Sequence, residues 1–187
     1  MKSVCVYCGS GKGRLDAYAE AARNLGEAAG HRGLLVVYGG ASVGLMGELA
    51  DAALAVGGQV EGVIPKRLVE RELAHSGLTR LHVVDTMAER KALMAELSDA
   101  FIALPGGIGT LDELFETMTW TQLQIHDKPS GLLDVDEYWQ PLVDLLDTQV
   151  AEGFLRRPHA ELLVRESDPE RLLDVLAGRC PAGASGD

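Results

Sequence analysis

The stretch Ala103-Leu104-Pro105-Gly106-Gly107-Ile108-Gly109-Thr110-Leu111-Asp112-Glu113 carries the residue types that chemistry on a phosphorylated substrate would use. An apolar run, residues 100–104, stops at Pro105-Gly106-Gly107. A helical pattern then begins at Leu111 and continues through Leu114, Phe115, Met118 and Leu123. Glycines let a backbone approach a ligand closely. The first turn of a helix offers unpaired N–H groups and the positive end of a dipole, which together bind anions. A phosphate held there would place Glu113 beside whatever carries it. The same residues have a plainer reading. Thr110-x-x-Glu113 is also the spacing of a capping box, in which both side chains only close the helix start. Both readings stand on this stretch alone.

A second stretch has the same ambiguity. Thr86-Met87-Ala88-Glu89 repeats the capping-box pattern, and Arg90 and Lys91 follow within the next turn. Cations near a helix start oppose its dipole by roughly 0.3–1 kcal/mol each. Either both snorkel to water along an apolar surface, or one is held in place for a ligand. Each of these stretches lies where a strand gives way to a helix, so the elements that position them come next.

Apolar runs at residues 2–8, 34–38, 60–64, 81–84, 100–104, 130–133 and 162–164 read as strands. Helical patterns fall at residues 16–31, 44–56, 86–97, 111–123, 137–151 and 169–176, and a charged connector with a short helix spans 65–77. Alternating strands and helices, with most strands wholly apolar, specify an α/β fold: one Rossmann-like, doubly wound parallel sheet covered on both faces. Right-handed crossovers then bring every strand-to-helix turn to one sheet edge. The turns after the first, second and fifth strands and the helix start at Thr86 are expected to share a crevice. The 187 residues suit one domain, expected over 1–177, with 178–187 a small, polar, disordered tail.

Composition removes several function classes. The net charge of −11 argues against binding a nucleic-acid backbone. No apolar run reaches the ~18 residues of a membrane span, and the N-terminus reads as a strand rather than a signal peptide, so the expected compartment is the cytoplasm. Cys5 and Cys8 lie about 10 Å apart along one strand and face opposite ways, which favours a structural role over a redox pair. The five histidines lack metal-ligand spacing. Gly9-x-Gly11-x-Gly13 is not a dinucleotide fingerprint, and Tyr38-Gly39-Gly40 supplies no ribose-binding acid. No P-loop and no nucleophile elbow occur.

Taken together, these motifs resemble the LONELY GUY family of cytokinin-activating phosphoribohydrolases, whose members were often labelled lysine decarboxylases. The resemblance rests on Cys8-Gly9-Ser10, Tyr38-Gly39-Gly40, Gly44-Leu45-Met46-Gly47, Arg90-Lys91-Ala92 and Pro105-Gly106-Gly107-x-Gly109-Thr110-x-x-Glu113. It extends from about Val4 to Val164. Gly11 and Ala41 depart from the family pattern, standing where a serine and a third glycine are frequent.

The resemblance implies hydrolysis of the N-glycosidic bond of a purine nucleoside 5′-monophosphate, AMP or its N6-modified form, giving free adenine or cytokinin base and ribose 5-phosphate. It implies no metal, no organic cofactor and a homodimer. Arg90 and Glu113 would be the catalytic pair. Glu72, Lys91, Gly107, Ile108, Gly109, Thr110 and Thr119 would contact substrate. Ser10, Gly40, Gly44, Met46 and Gly47 from the other glycine turns complete the expected binding set. Arg90 could bind phosphate, orient Glu113 or neutralise the leaving base. Three rival readings accompany this one: a pyridoxal-dependent decarboxylase, a non-catalytic nucleotide or cofactor carrier, and a general nucleosidase acting on AMP or GMP.

Overall fold

A computed structural model describes residues 1–69 and 74–181. Its centre is a seven-stranded sheet of β1 (Ser3–Tyr7), β2 (Leu35–Tyr38), β3 (Gln59–Pro65), β4 (Arg80–Val84), β5 (Ala100–Ala103), β6 (Ser130–Leu133) and β7 (Leu163–Glu166), in the order β4-β3-β2-β1-β5-β6-β7. Every pairing in it is parallel, with Val4 opposite Val36 on one side and Ala100 on the other. The helices are α1 (Asp16–His31), α2 (Gly44–Ala55), α3 (Met87–Glu96), α4 (Ile108–Gln122), α5 (Gln140–Ala151), α6 (Arg157–Ala160) and α7 (Pro169–Arg179). This is the Rossmann-like, doubly wound α/β fold expected from the alternation.

Because side chains alternate across a strand, each face of the sheet feeds a separate core. Val4, Val6, Val36 and Ile102 pack with Leu25, Leu49 and Leu172 of α1, α2 and α7. Cys5, Tyr7, Val37 and Phe101 pack with Met94, Leu114, Leu142 and Leu146 of α3, α4 and α5. Each such fully buried aliphatic side chain contributes about 1.5–3 kcal/mol. The helices α1 and α2 lie backbone to backbone. A β-carbon on Gly26 would stand 2.4 Å from the Leu49 carbonyl, so only glycine fits there.

Several boundaries differ from expectation. The helix after β5 begins at Ile108, three residues early, with Gly107 as its extended N-cap and no side-chain cap. Thr110 therefore lies inside the helix and cannot form a capping box with Glu113. At Thr86 half of the box forms: the Glu89 N–H donates to Thr86 Oγ1, while the Glu89 carboxylate accepts the N–H of Asp85, one residue before the N-cap. The helix α6 was not anticipated, because four residues are too few to show a period. α7 continues through Gly178 to Arg179, past the expected end at 176. Among its described residues the connector forms one 3-10 turn, Lys66–Leu68.

The strand order reverses between β1, whose other neighbour is β2, and β5, whose other neighbour is β6. Ligands of open α/β sheets bind beyond the carboxyl ends of the strands at such a reversal. Gly9 follows β1 and Pro105-Gly106 follows β5, so two of the glycine turns meet at that point.

Candidate active site

A cleft of about 270 Å³ opens there, lined by Cys8, Gly9, Ser10, Gly39, Met46, Met87, Arg90, residues 107–110, Asp112 and Glu113. Its size falls near the lower end of the usual small-ligand range, roughly 300–1,000 Å³. The turns are bonded to one another. The Gly9 N–H donates to the Pro105 carbonyl at 3.2 Å, and the Gly9 carbonyl accepts the Leu45 N–H at 3.1 Å.

Arg90 is the buried charge of the site, 6% exposed. An isolated buried cation would cost several kcal/mol. Here Nε donates to the Val63 carbonyl at 3.0 Å and Nη2 to the Gly39 carbonyl at 3.1 Å. Nη1 stands 3.9 Å from Glu113 Oε1 and 4.0 Å from Met87 Sδ. Two strand-end carbonyls thus fix the guanidinium plane and leave one edge toward the carboxylate. The Glu113 side chain is itself only 11% exposed. Neither side chain snorkels to water.

The first turn of α4 forms the opposite wall. Intrahelical bonding begins with the Leu111 N–H to the Gly107 carbonyl, so the N–H groups of the preceding residues are the ones a helix leaves over. A β-carbon on Gly107 or Gly109 would meet nothing within 4 Å. Protein packing does not require glycine at either position, and the open space beside them is cleft. Gly40 and Gly44 differ: both have positive φ (81° and 63°), and a β-carbon on Gly44 would lie 2.3 Å from the Ser10 carbonyl. A β-carbon on Gly47 would lie 2.3 Å from the Ser42 carbonyl. These three shape the loops and do not line the cleft.

The cleft therefore brings together Arg90, Glu113, Gly107, Ile108, Gly109, Thr110, Ser10 and Met46. Lys91 points elsewhere, bridging Asp112 and Glu116 at 3.1 Å each. Burial works against its charge, but those two carboxylates hold its pKa above the ordinary lysine value. Thr119 is exposed and donates to the Phe115 carbonyl at 2.7 Å. Trp120 packs edge-on to His126, away from the cleft. Glu72 lies outside the described residues. Gly9, Gly39, Met87 and Asp112 are lining residues that sequence reasoning did not select. Met87, three residues before Arg90, shares its helix face, which was the available signal.

Cys8 also lines the cleft, but burial pushes its thiol well above the ordinary cysteine value and the Glu113 charge adds to the shift. It stays protonated and is no nucleophile. None of the five lysines lines the cleft. Among the described residues, no group of three or more His, Cys, Asp or Glu side chains could hold a metal ion.

A model of the family described as "Possible lysine decarboxylase" matches residues 46–176. A cytokinin riboside 5′-monophosphate phosphoribohydrolase of Rhodococcoides fascians is 54% identical over 155 residues, 82% of this chain and 78% of that protein. The chain belongs to the LONELY GUY family. The LONELY GUY phosphoribohydrolase of Oryza sativa subsp. japonica is 48% identical across 96% of this chain and 74% of that one. Among solved structures, the molybdenum cofactor binding protein of Rippkaea orientalis superposes with a TM-score of 0.71 at 21% identity, covering 95% of this chain and 97% of that chain. That likeness is one of fold.

Proposed function

We propose that this LONELY GUY protein hydrolyses the N-glycosidic bond of a purine nucleoside 5′-monophosphate, with N6-modified AMP as its substrate class, releasing the free base and ribose 5-phosphate. The observation that carries the reading is the pairing, in one cleft, of an open glycine-rich helix start with a carboxylate held beside a fixed arginine. The names of the relatives at 54% and 48% identity support the reaction.

In this mechanism the 5′-phosphate sits on the N–H groups of Gly107, Ile108, Gly109 and Thr110, with Ser10 across the cleft. That places the ribose over Glu113. As the C1′–N9 bond breaks, the base leaves with the bonding electrons and positive charge builds on the ribose. The Glu113 carboxylate stabilises that charge and orients the water that attacks C1′. The water's proton ends on the base. Arg90 has two of its three nitrogens committed to carbonyls, so its part is to orient Glu113 rather than to clamp the phosphate. Preorganised groups of this kind supply several kcal/mol to a transition state. Met46 and Met87 form a soft, apolar margin suited to the flat base.

The placement of every lysine outside the cleft speaks against a Schiff base with pyridoxal phosphate. We infer a homodimer as the working unit. Its support is the row of exposed apolar side chains on and after α4: Ile108 (82% exposed), Phe115, Leu123 and Ile125. No helix among the described residues is long and apolar enough to cross a membrane.

The deciding experiment incubates the protein with AMP, GMP and N6-isopentenyl-AMP side by side and follows free base by chromatography. Base release fastest from the N6-modified nucleotide is the expected result. Equal turnover of all three makes the protein a general nucleosidase. Nucleotide binding without base release makes it a carrier.

A further inference from the structure

The segment between β6 and α5 contains backbone strain that packing alone does not call for. Asp136 and Glu137 are consecutive non-glycine residues in the left-handed region, at φ 53° and 57°. Such conformations are costly and persist where the surroundings over-determine them. The surroundings here are specific. The Trp139 N–H donates to Asp134 Oδ1 at 3.0 Å, the indole Nε1–H donates to the Leu133 carbonyl at 3.2 Å, and Arg165 Nε holds Asp134 Oδ2 at 2.6 Å. The product of this clamp is the position of Tyr138, whose hydroxyl donates to the Gly106 carbonyl at 2.5 Å.

The peptide unit that begins with the Gly106 carbonyl ends with the Gly107 N–H, the N-cap donor of α4. A hydrogen bond accepted by a peptide oxygen polarises the unit and strengthens its N–H as a donor. It also fixes the plane in which that N–H points. The Pro105-Gly106 turn is held from its other side by the Gly9 N–H on the Pro105 carbonyl. The Tyr138 ring is held too, edge-on against Tyr18 at 5.8 Å and Trp139 at 5.0 Å. Tyr18 in turn lies against the first glycine loop, where a β-carbon on Gly13 would meet its ring at 2.5 Å.

We propose that Tyr138 is a positioning residue of the phosphate cradle: its hydroxyl aims and polarises the Gly106–Gly107 peptide so that the Gly107 N–H meets the 5′-phosphate, and its ring ties that turn to the first glycine loop through Tyr18. The inference rests on reading the start of α4 as a phosphate site. Substrates that share the 5′-phosphoribosyl group feel it equally, whatever their base.

The test compares wild type with Tyr138→Phe, which keeps both ring contacts and removes only the hydroxyl. Ribose 5-phosphate affinity is measured by calorimetry, alongside KM and kcat for the nucleotide and the melting temperature. Loss of one such bond predicts affinity for ribose 5-phosphate weaker by about three- to tenfold, KM raised by the same factor, and kcat within about twofold. The melting temperature stays nearly constant. A variant that binds ribose 5-phosphate as wild type does, with or without a lower melting temperature, overturns the proposal. Because calorimetry does not depend on turnover, a wild type that binds ribose 5-phosphate but releases no base refutes the hydrolase reading while this comparison still decides Tyr138. A wild type that does not bind ribose 5-phosphate refutes the cradle and the role of Tyr138 with it.

Discussion

A β-carbon on Gly39 would stand 2.1 Å from Nη2 of Arg90 and 3.0 Å from Met46 Sδ. The buried guanidinium therefore lies where it does because residue 39 has no side chain. Gly39→Ala is expected to push Arg90 off its two carbonyls and away from Glu113. A shift near 1 Å at such a site costs on the order of a hundredfold in rate, while overpacking costs about 1–3 kcal/mol of stability. Steady-state kinetics and thermal melts on the same preparation separate the two effects. A variant with wild-type turnover contradicts the assignment of Arg90.

Glu113→Gln is expected to lower kcat for base release by about a hundredfold or more, the scale of losing one preorganised charge-stabilising group. Ribose 5-phosphate binding should persist, since the helix start is intact. Quantifying free base in single-turnover experiments checks this, and near-normal release removes Glu113 from the mechanism.

Stability and activity should move in opposite directions at Gly109. Alanine in place of a helical glycine stabilises by roughly 0.5–1 kcal/mol, and a β-carbon there meets nothing in the protein. It would meet the phosphate. Gly109→Ala is expected to melt higher and to show KM raised about tenfold. Gly178→Ala in α7, equally open, is the control that should gain stability without a change in KM.

Asp99 predicts an acid limb to stability. Its carboxylate accepts the N–H of Lys2 at 2.5 Å and of Ser3 at 3.1 Å. Burial works against its charge, but those two bonds keep its pKa below the ordinary aspartate value of 3.8. A carboxylate depressed in the folded state stabilises it above pH 3.8, and that contribution is lost as pH falls through the folded value. Because the group is partly solvated, the contribution at neutral pH is at most about 1 kcal/mol. Asp99→Asn should remove it at pH 7 and leave the two proteins equally stable at the acid end, as read from denaturant titrations across the pH range.

Much of this could be read from residue order. The limits of α1, Asp16 to His31, follow from its alanine-rich period, and the shared crevice follows from parallel pairing alone. The helix start at Ile108 was hidden because Gly107 caps it without a side chain, while Thr110 offered a pattern that usually marks a cap. Arg90 and Lys91 could not be told apart in sequence. Neighbours on a helix diverge by about 100°, and only the packing of α3 decides which one is buried. Thr119 lies six residues from Glu113, about 9 Å further along the axis of α4, which carries it past the cleft at the helix start. Tyr138 was illegible for another reason: its partner, the Gly106 carbonyl, is a backbone atom, and backbone contacts leave no residue-type signature.

The strand reversal also has a consequence in time. Val4 pairs with Val36, 32 residues along, but with Ala100 only 96 residues along. Contacts that close such long loops form late and slowly. The half-sheet of β1 to β4 contains Gly9, Gly39 and Arg90's carbonyl partners, yet it lacks Pro105, the helix start and Glu113. Competence to act therefore arises only when β5 docks beside β1, which makes recovery of turnover during refolding a direct clock for that single long-range docking event.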